Sequence, residues 1–335
     1  MFQQFSLNGL NAKIHLLIGL STITVLILVF QIFSVKDEPT LRFGFVNRWL
    51  YNVSRNTTQY VLPDKNTTIL LPKDFCKTKL DVLIIILSAP KNSKIRGAIR
   101  ETWGLNKNVL NSAVGIYYLL GTPTNKTLQK KIEMEFDLYQ DLIQEDFIDT
   151  YHNLTIKSVM LLKLVTTHCS HFVHYIMKSD DDVYIYIPTL IRTLKSIKLK
   201  SKLLLGDITK RPRPFRSLES KWFTPYYLYQ KKFYPNFLAG ASYVMSVDVL
   251  MKLYKTALQT PIYHLEDVYI TGILAEKSKI IPRYHPGFTR LKRKLDPCLY
   301  KSFINSHRCS AIDLRKIHEL IMRTDFQKCP AKKKN

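Results

Sequence analysis

His171-Phe-Val-His-Tyr-Ile-Met-Lys178-Ser-Asp180-Asp181-Asp182-Val-Tyr-Ile-Tyr-Ile187 runs from apolar and aromatic residues straight into three consecutive carboxylates. Like charges in a row repel and resist burial, so such a strand end is stable chiefly when a cation or a ring of donors sits against it. Hard oxygen ligands at a strand edge suit Mg²⁺ or Mn²⁺, and an ion placed there can hold a diphosphate. Alone, the stretch reads equally well as a solvated acidic turn.

The residues before it narrow the choice. Leu80-Asp-Val-Leu-Ile-Ile-Ile-Leu87 is a continuous β-branched run closed by Ser88-Ala-Pro90, as expected for a strand buried on both faces. A segment with helical potential (96–102) follows, then a second apolar run, Val114–Leu120, ended by Gly121-Thr-Pro123. Thr127–Tyr139 is charged and helix-compatible. Leu154–Cys169 carries Ile156, Val159, Met160, Lys163 and Leu164 at spacings that give a helix one apolar side. Strands alternating with helices predict an α/β domain with a largely parallel sheet, whose ligands collect at the carboxyl ends of the strands. Asp180–Asp182 stand at such an end. The second half is more mixed: Leu203–Asp207 and Ala239–Ser246 read as strands, 248–258 as a helix, and His264-Leu-Glu-Asp-Val-Tyr269 carries a further carboxylate pair.

The 335-residue chain is not read as soluble throughout. Ile14–Phe33 holds no Asp, Glu, Lys or Arg, long enough to span a bilayer as a helix. A signal peptide would have a shorter apolar core and a small-residue cleavage site, which Phe33-Ser-Val-Lys36 does not supply. Asn52, Asn56, Asn66, Asn125 and Asn153 each begin an N-x-[S/T] sequon, and three of them cluster just past the anchor. The organisation expected is a cytosolic tail (1–13), a signal-anchor (14–33), a lumenal, Pro-punctuated stem (34–75), a catalytic domain (76–330) and a basic tail (331–335). Five cysteines without CxxC spacing argue against zinc, and in a lumenal compartment they read as up to two disulfides with one free thiol. The net charge of +24 is spread along the chain with no nucleic-acid motif beside it, so a nucleic-acid partner is not expected.

Several blocks occur in one order: Arg96-Gly-Ala-Ile-Arg100-Glu-Thr-Trp103-Gly, Tyr118-Leu-Leu-Gly121, Asp146–Lys157, Lys178-Ser-Asp-Asp-Asp182, Tyr234–Ser246 and Glu266-Asp267-Val-Tyr-Ile-Thr-Gly272. Together they closely resemble the β-1,3-galactosyltransferase family, which includes β-1,3-N-acetylglucosaminyltransferases, over about residues 76–330. The resemblance implies a GT-A fold, a UDP-sugar donor, a glycan acceptor on a glycoprotein or glycolipid, Mn²⁺ dependence, inversion at the anomeric carbon and a Golgi type II membrane topology.

Residue by residue, it implies that Asp180 and Asp182 hold Mn²⁺, with His307 as a further ligand. Asp181 takes a ribose-side role, and Lys178, Arg96 and Arg100 serve the donor; the two arginines read otherwise as a helix face pairing with local acids such as Glu101. Transfer to a hydroxyl needs a base opposite the leaving UDP; Asp267 matches that position, with Glu266 orienting it or the acceptor, and a helix cap is the alternative. Cysteines matching the family pattern imply Cys298–Cys329 and Cys76–Cys169, leaving Cys309 free. Two positions depart from the pattern. Ser242 stands where a glycine is usual, expected to narrow a pocket, and His318 replaces an aromatic residue. Asn153 falls inside a family block and is not expected to carry glycan, unlike Asn52, Asn56, Asn66 and Asn125. The function expected is transfer of galactose from UDP-galactose in β-1,3 linkage, with N-acetylhexosamine transfer as the alternative; the intact acidic triplet and Glu266-Asp267 pair speak against a silent lectin or chaperone.

Overall fold

The computed structural model describes residues 53–329 apart from Asn106 and Leu199. The tail, the signal-anchor at 14–33, Asn52 and the basic tail at 331–335 lie outside the described residues, among which no helix is long and apolar enough to cross a membrane.

The strands are β1 (Thr68–Leu70), β2 (Leu80–Leu87), β3 (Asn108–Val109), β4 (Ser112–Thr122), β5 (Leu142–Ile148), β6 (Val173–Asp180), β7 (Tyr184–Ile185), β8 (Leu204–Thr209), β9 (Phe237–Ser246), β10 (Arg283–Tyr284) and β11 (Asn305–Ser306). Among the described residues they form a nine-stranded sheet in the order β1-β5-β4-β2-β6-β9-β8-β10, with β3 beside β4, and a two-stranded sheet of β7 and β11. The centre, β5-β4-β2-β6, is parallel. From β6 outward the sheet turns mixed, because β9 runs antiparallel to both β6 and β8. The parallel expectation therefore holds for the first half of the chain, where each strand returns through a helix.

The main helices are α1 (Thr57–Val61), α2 (Ser93–Arg100), α3 (Lys126–Tyr139), α4 (Leu154–His168), α5 (Ile187–Ser196), α6 (Val247–Leu258) and α7 (Ala311–Arg323). β2 is buried from Val82 to Leu87, as its unbroken apolar run requires. α4 departs from the one-sided helix expected, being buried continuously from Thr155 to Val165. Its buried cations are satisfied: Lys157 Nζ donates to Ser88 O and Asp149 Oδ2, both at 2.6 Å. Lys163 Nζ donates to the carbonyls of Val61 and Leu62 at 2.9 Å, to that of Lys65 at 2.7 Å and to Thr67 Oγ1 at 2.9 Å.

Those last hydrogen bonds correct the reading of 34–75 as an irregular stem. From α1 onward this segment is part of the domain: Tyr60 and Val61 are buried in the core, and β1 pairs antiparallel with β5. Its elements are only a few residues long, which is why polarity and proline dominate the sequence pattern. The structure joins Cys76 to Cys169 and Cys298 to Cys329, and Cys309 is a buried free thiol.

Candidate active site

Leu87 of β2 stands opposite Asp180 of β6 in parallel register, so the carboxyl ends of the two central strands lie side by side. β6 ends at Asp180, and the turn formed by Asp181 and Asp182 sorts the acidic triplet. Asp180 and Asp182, both half-buried, face a cleft of about 840 Å³. Asp181 turns the other way: its Oδ2 accepts from Ser88 Oγ at 2.7 Å and Asn92 Nδ2 at 2.9 Å, and it does not line the cleft. The ribose-side role expected of Asp181 is thus replaced by a structural one, fixing the loop after β2.

His307 joins the outer pair. It follows β11, whose partner β7 starts two residues after Asp182, and the Cys309 N–H donates to the Asp182 carbonyl at 2.8 Å. Its Nδ1 lies 2.9 Å from the Arg290 carbonyl, which can only accept, so Nδ1 carries the proton and Nε2 is turned to the acids, 3.4 Å from Asp182 Oδ1. One ligand atom from each of Asp180, Asp182 and His307 falls within a 4.8 Å group. Two carboxylates and an imidazole oriented by a carbonyl through its other nitrogen make a donor set that fits a divalent ion. Burial opposes a charged His307, but the neighbouring Asp182 outweighs it and raises its pKa.

Behind the triad lies Lys178, only 1 % exposed. Its Nζ donates to Asp180 Oδ1 at 2.6 Å and to the Gly240 carbonyl at 2.5 Å, and stands 3.6 Å from Glu266 Oε2. Burial acts against its charge; the surrounding carboxylates more than offset that and hold the ammonium above its usual pKa. Burial pushes the Asp180 carboxyl up to about 6, with Lys178 opposing. Lys178 lines the floor of the cleft with its ammonium already paired to Asp180 and the Gly240 carbonyl, so its part is to balance charge beneath the acids.

Glu266 and Asp267 divide their work. Glu266 is buried, with Oε1 accepting from Ser158 Oγ at 2.8 Å and Tyr243 Oη at 2.7 Å. Asp267 Oδ1 accepts from the Val268 N–H at 2.8 Å, capping the π-helix Val268–Leu274. Capping and facing the cleft are therefore both true of Asp267. Burial first, then the neighbouring Glu266, pushes its carboxyl up to about 7. A carboxylate with that affinity for a proton is suited to take one near neutral pH. Gly240 allows the pair to pack against β9, since a Cβ there would stand 3.3 Å from Glu266 Oε2. Ser242 does not narrow this space as expected: it is 2 % exposed inside the sheet, and Ala239, Gly240 and Ala241 line the cleft instead. His318 lies beside the Tyr184 hydroxyl, away from the cleft.

Arg96 and Arg100 also differ from expectation. Arg96 is fully buried and donates from Nε and Nη2 to Glu135 at 2.8 and 2.6 Å, and from Nη1 to Ser88 Oγ and Ala89 O. Arg100 forks onto Asp141 with two 2.8 Å bonds, while Glu101 pairs with Arg315. Neither arginine lines the cleft. The chain Arg96–Ser88–Asp181 makes Arg96 a support for the β2 loop. Besides Lys178, the cations that line the cleft, Arg213, Lys221, Arg290 and Arg308, carry no sequence pattern that marks them. Tyr151, Phe215 and Trp222 on its rim escape a sequence reading for the same reason. A second cavity, about 700 Å³, sits at the opposite ends of β2 and β6 and holds none of these residues.

With this geometry in place, the galactosyltransferase family model matches residues 94–286, from α2 through the strand that follows the carboxylate pair. The chain belongs to the galactosyltransferase family. It is 36% identical over 245 residues to beta-1,3-galactosyltransferase 1 of Mus musculus, covering 72% of this chain and 74% of that protein. It is 36% identical over 250 residues to lactosylceramide 1,3-N-acetyl-beta-D-glucosaminyltransferase A of Danio rerio, with 70% and 65% covered, and 34% identical over 278 residues to the Mus musculus enzyme of that type, with 79% and 72% covered. As a galactosyltransferase-family member the chain is a hexosyltransferase, and the matched span contains every cleft carboxylate described above.

Proposed function

We propose that the chain transfers galactose from UDP-galactose, with inversion, to the 3-hydroxyl of a terminal sugar on a glycoprotein or glycolipid, in the Golgi lumen and anchored by residues 14–33. The observation that carries this reading is the meeting in one cleft of a metal-type triad, Asp180, Asp182 and His307, with a second, proton-accepting carboxylate, Asp267. The triad would hold Mn²⁺, which when bound supplies positive charge against the departing diphosphate. The mixed oxygen and nitrogen donors favour Mn²⁺ over Ca²⁺ or Mg²⁺, which prefer oxygen alone.

In the step itself the acceptor oxygen bonds to the anomeric carbon as the bond from that carbon to the diphosphate oxygen breaks. UDP leaves with the electron pair, and the hydroxyl proton passes to Asp267. Glu266, held by Ser158 and Tyr243, fixes the position of Asp267 and keeps Lys178 balanced between the two carboxylate groups. N-acetylglucosamine as the transferred sugar is the second reading, supported by the two relatives named for that activity. Incubating the chain with Mn²⁺, a panel of UDP-sugars and sugar acceptors, and reading both UDP release and product linkage, tests these readings. Absence of release from every UDP-hexose would overturn both.

A further inference from the structure

His307 is far in sequence from the two aspartates it joins, so its ring must be aimed by what packs around it. Its Nδ1 is turned to the Arg290 carbonyl at 2.9 Å, and its backbone N–H donates to the next carbonyl, that of Leu291, at 3.2 Å. The imidazole is therefore aimed by the segment 289–291, and any looseness there is passed to Nε2.

Two clips hold that segment. From β11, Asn305, 1 % exposed, accepts the Thr289 N–H at 2.7 Å and donates back to the Thr289 carbonyl at 2.9 Å. From β8, Asp207 Oδ2 accepts both the backbone N–H of Arg290 at 3.1 Å and its Nε at 2.8 Å, while Arg290 Nη1 donates to Thr209 Oγ1 at 2.6 Å. Asp207 stands where the pairing of β8 with β9 slips: Gly206 is opposite Tyr243, yet Ile208 is opposite Leu238 where an unbroken ladder would place Ala241. Irregularities of this kind re-aim a side chain. Asp207 does not line the cleft, whereas Arg290 and Thr209 do, so whatever it does for the site it does through Arg290.

As an ion pair the contact is a weak source of stability, because the Arg290 side chain is 42% exposed. Its geometry does more than its charge. One carboxylate oxygen that takes the main chain and the side chain of the same residue fixes that residue's peptide plane, and the carbonyl His307 uses belongs to the same residue.

We propose that Asp207 is a positioning residue for the metal-type triad: by pinning Arg290 it sets the carbonyl that orients His307 toward Asp180 and Asp182. This inference rests on the metal reading of the triad, and adds to it the residue that keeps the imidazole in line.

The test uses the full chain and three variants, Asp207→Ala, Asp207→Asn and Arg290→Met. Titration calorimetry reads Mn²⁺ affinity, and ¹⁵N NMR of the metal-free protein in alkaline buffer, where the ring is neutral, reads the His307 tautomer. Asp207→Ala should lower Mn²⁺ affinity about tenfold or more with little change in melting temperature. Asp207→Asn, which retains an oxygen for the Arg290 N–H, should recover part of the loss. Arg290→Met should also lower affinity, and its sign separates position from charge: if charge alone mattered, removing a cation beside the ion would raise affinity. The wild-type ring should carry its proton on Nδ1, and Asp207→Ala should show a mixture of tautomers. Unchanged Mn²⁺ affinity in Asp207→Ala, raised affinity in Arg290→Met, or a ring still wholly protonated on Nδ1 in Asp207→Ala overturns the assignment. A wild type that binds no Mn²⁺ removes the metal reading instead, and the tautomer then still decides whether Asp207 orients His307.

Discussion

The Nζ of Lys178 lies 2.6 Å from Asp180 Oδ1, with the lysine sealed inside the sheet and the aspartate open to the cleft. One buried cation thus serves the metal-side carboxylate on one flank and Glu266, at 3.6 Å, on the other. Removing it leaves Glu266 buried without a counter-charge, a situation that typically costs about 3–5 kcal/mol. Lys178→Met is expected near the lower end of that range, about 3 kcal/mol, because Asp180 keeps access to water. Urea unfolding of the variant checks this, and a midpoint equal to wild type would show the pair to be idle.

Asp182→Asn removes a ligand atom from the triad without opening the core, since Asp182 is half-buried at the cleft. Affinity for Mn²⁺ should fall by about tenfold or more while thermal stability changes little. Titration calorimetry with Mn²⁺ and UDP, paired with a melting curve, reads both quantities. Wild-type affinity in this variant would remove Asp182 from the metal site.

Asp267→Asn retains an oxygen to cap the Val268 N–H and loses the base. Turnover should drop by about 10²–10⁴ with UDP affinity nearly unchanged. Single-turnover transfer and UDP titration on one preparation separate chemistry from binding.

The raised pKa of Asp267 also sets a pH dependence. As a base it must be deprotonated, so wild-type transfer should rise with pH through about 7. For stability the sign is opposite. A carboxyl bound to its proton more tightly when folded favours the fold below about pH 4, the unfolded value, and loses that contribution as pH climbs through about 7. Wild type should therefore lose stability relative to Asp267→Asn between those limits, as denaturation at pH 4, 6 and 8 would reveal. A constant difference across the three would mean that the carboxyl titrates normally.

A chain beginning at residue 76 lacks α1 and β1, and leaves Lys163 Nζ without the four acceptors it now holds. It should be much less stable than one beginning at residue 53, or fail to accumulate folded. Equal melting temperatures for the two fragments would show the earlier segment to be dispensable.

Asn56, Asn66 and Asn125 are exposed, and each uses its side-chain oxygen to accept a backbone N–H, at Thr58, Thr68, and Thr127 with Leu128. Their amide nitrogens remain on the surface side. Asn153 is fully buried and donates to the Ile148 carbonyl. Glycopeptide mapping of secretory-expressed chain should find glycan at the first three and none at Asn153; an occupied Asn153 would contradict the fold around it.

What is legible in the sequence is whatever is written locally. The β2 run and the acidic triplet at the end of β6 need only neighbouring residues to be read. Arg96 and Arg100 mislead because the acids that claim them, Glu135 and Asp141, lie 39 and 41 positions further along the chain. The folded nature of 57–75 is hidden likewise, its anchor Lys163 standing 102 residues from Val61. The aromatic rim has no periodicity at all, since its rings sit on connections whose shape is set by tertiary hydrogen bonds.

His307 enters the cleft from the strand pair β7–β11, long after the two aspartates it joins have been laid down. During synthesis, then, the sheet and both aspartates leave the ribosome before the imidazole does. A polypeptide cut short upstream of β11 would carry both aspartates without the imidazole, so the three-residue donor set is complete only once the segment through His307 has been made.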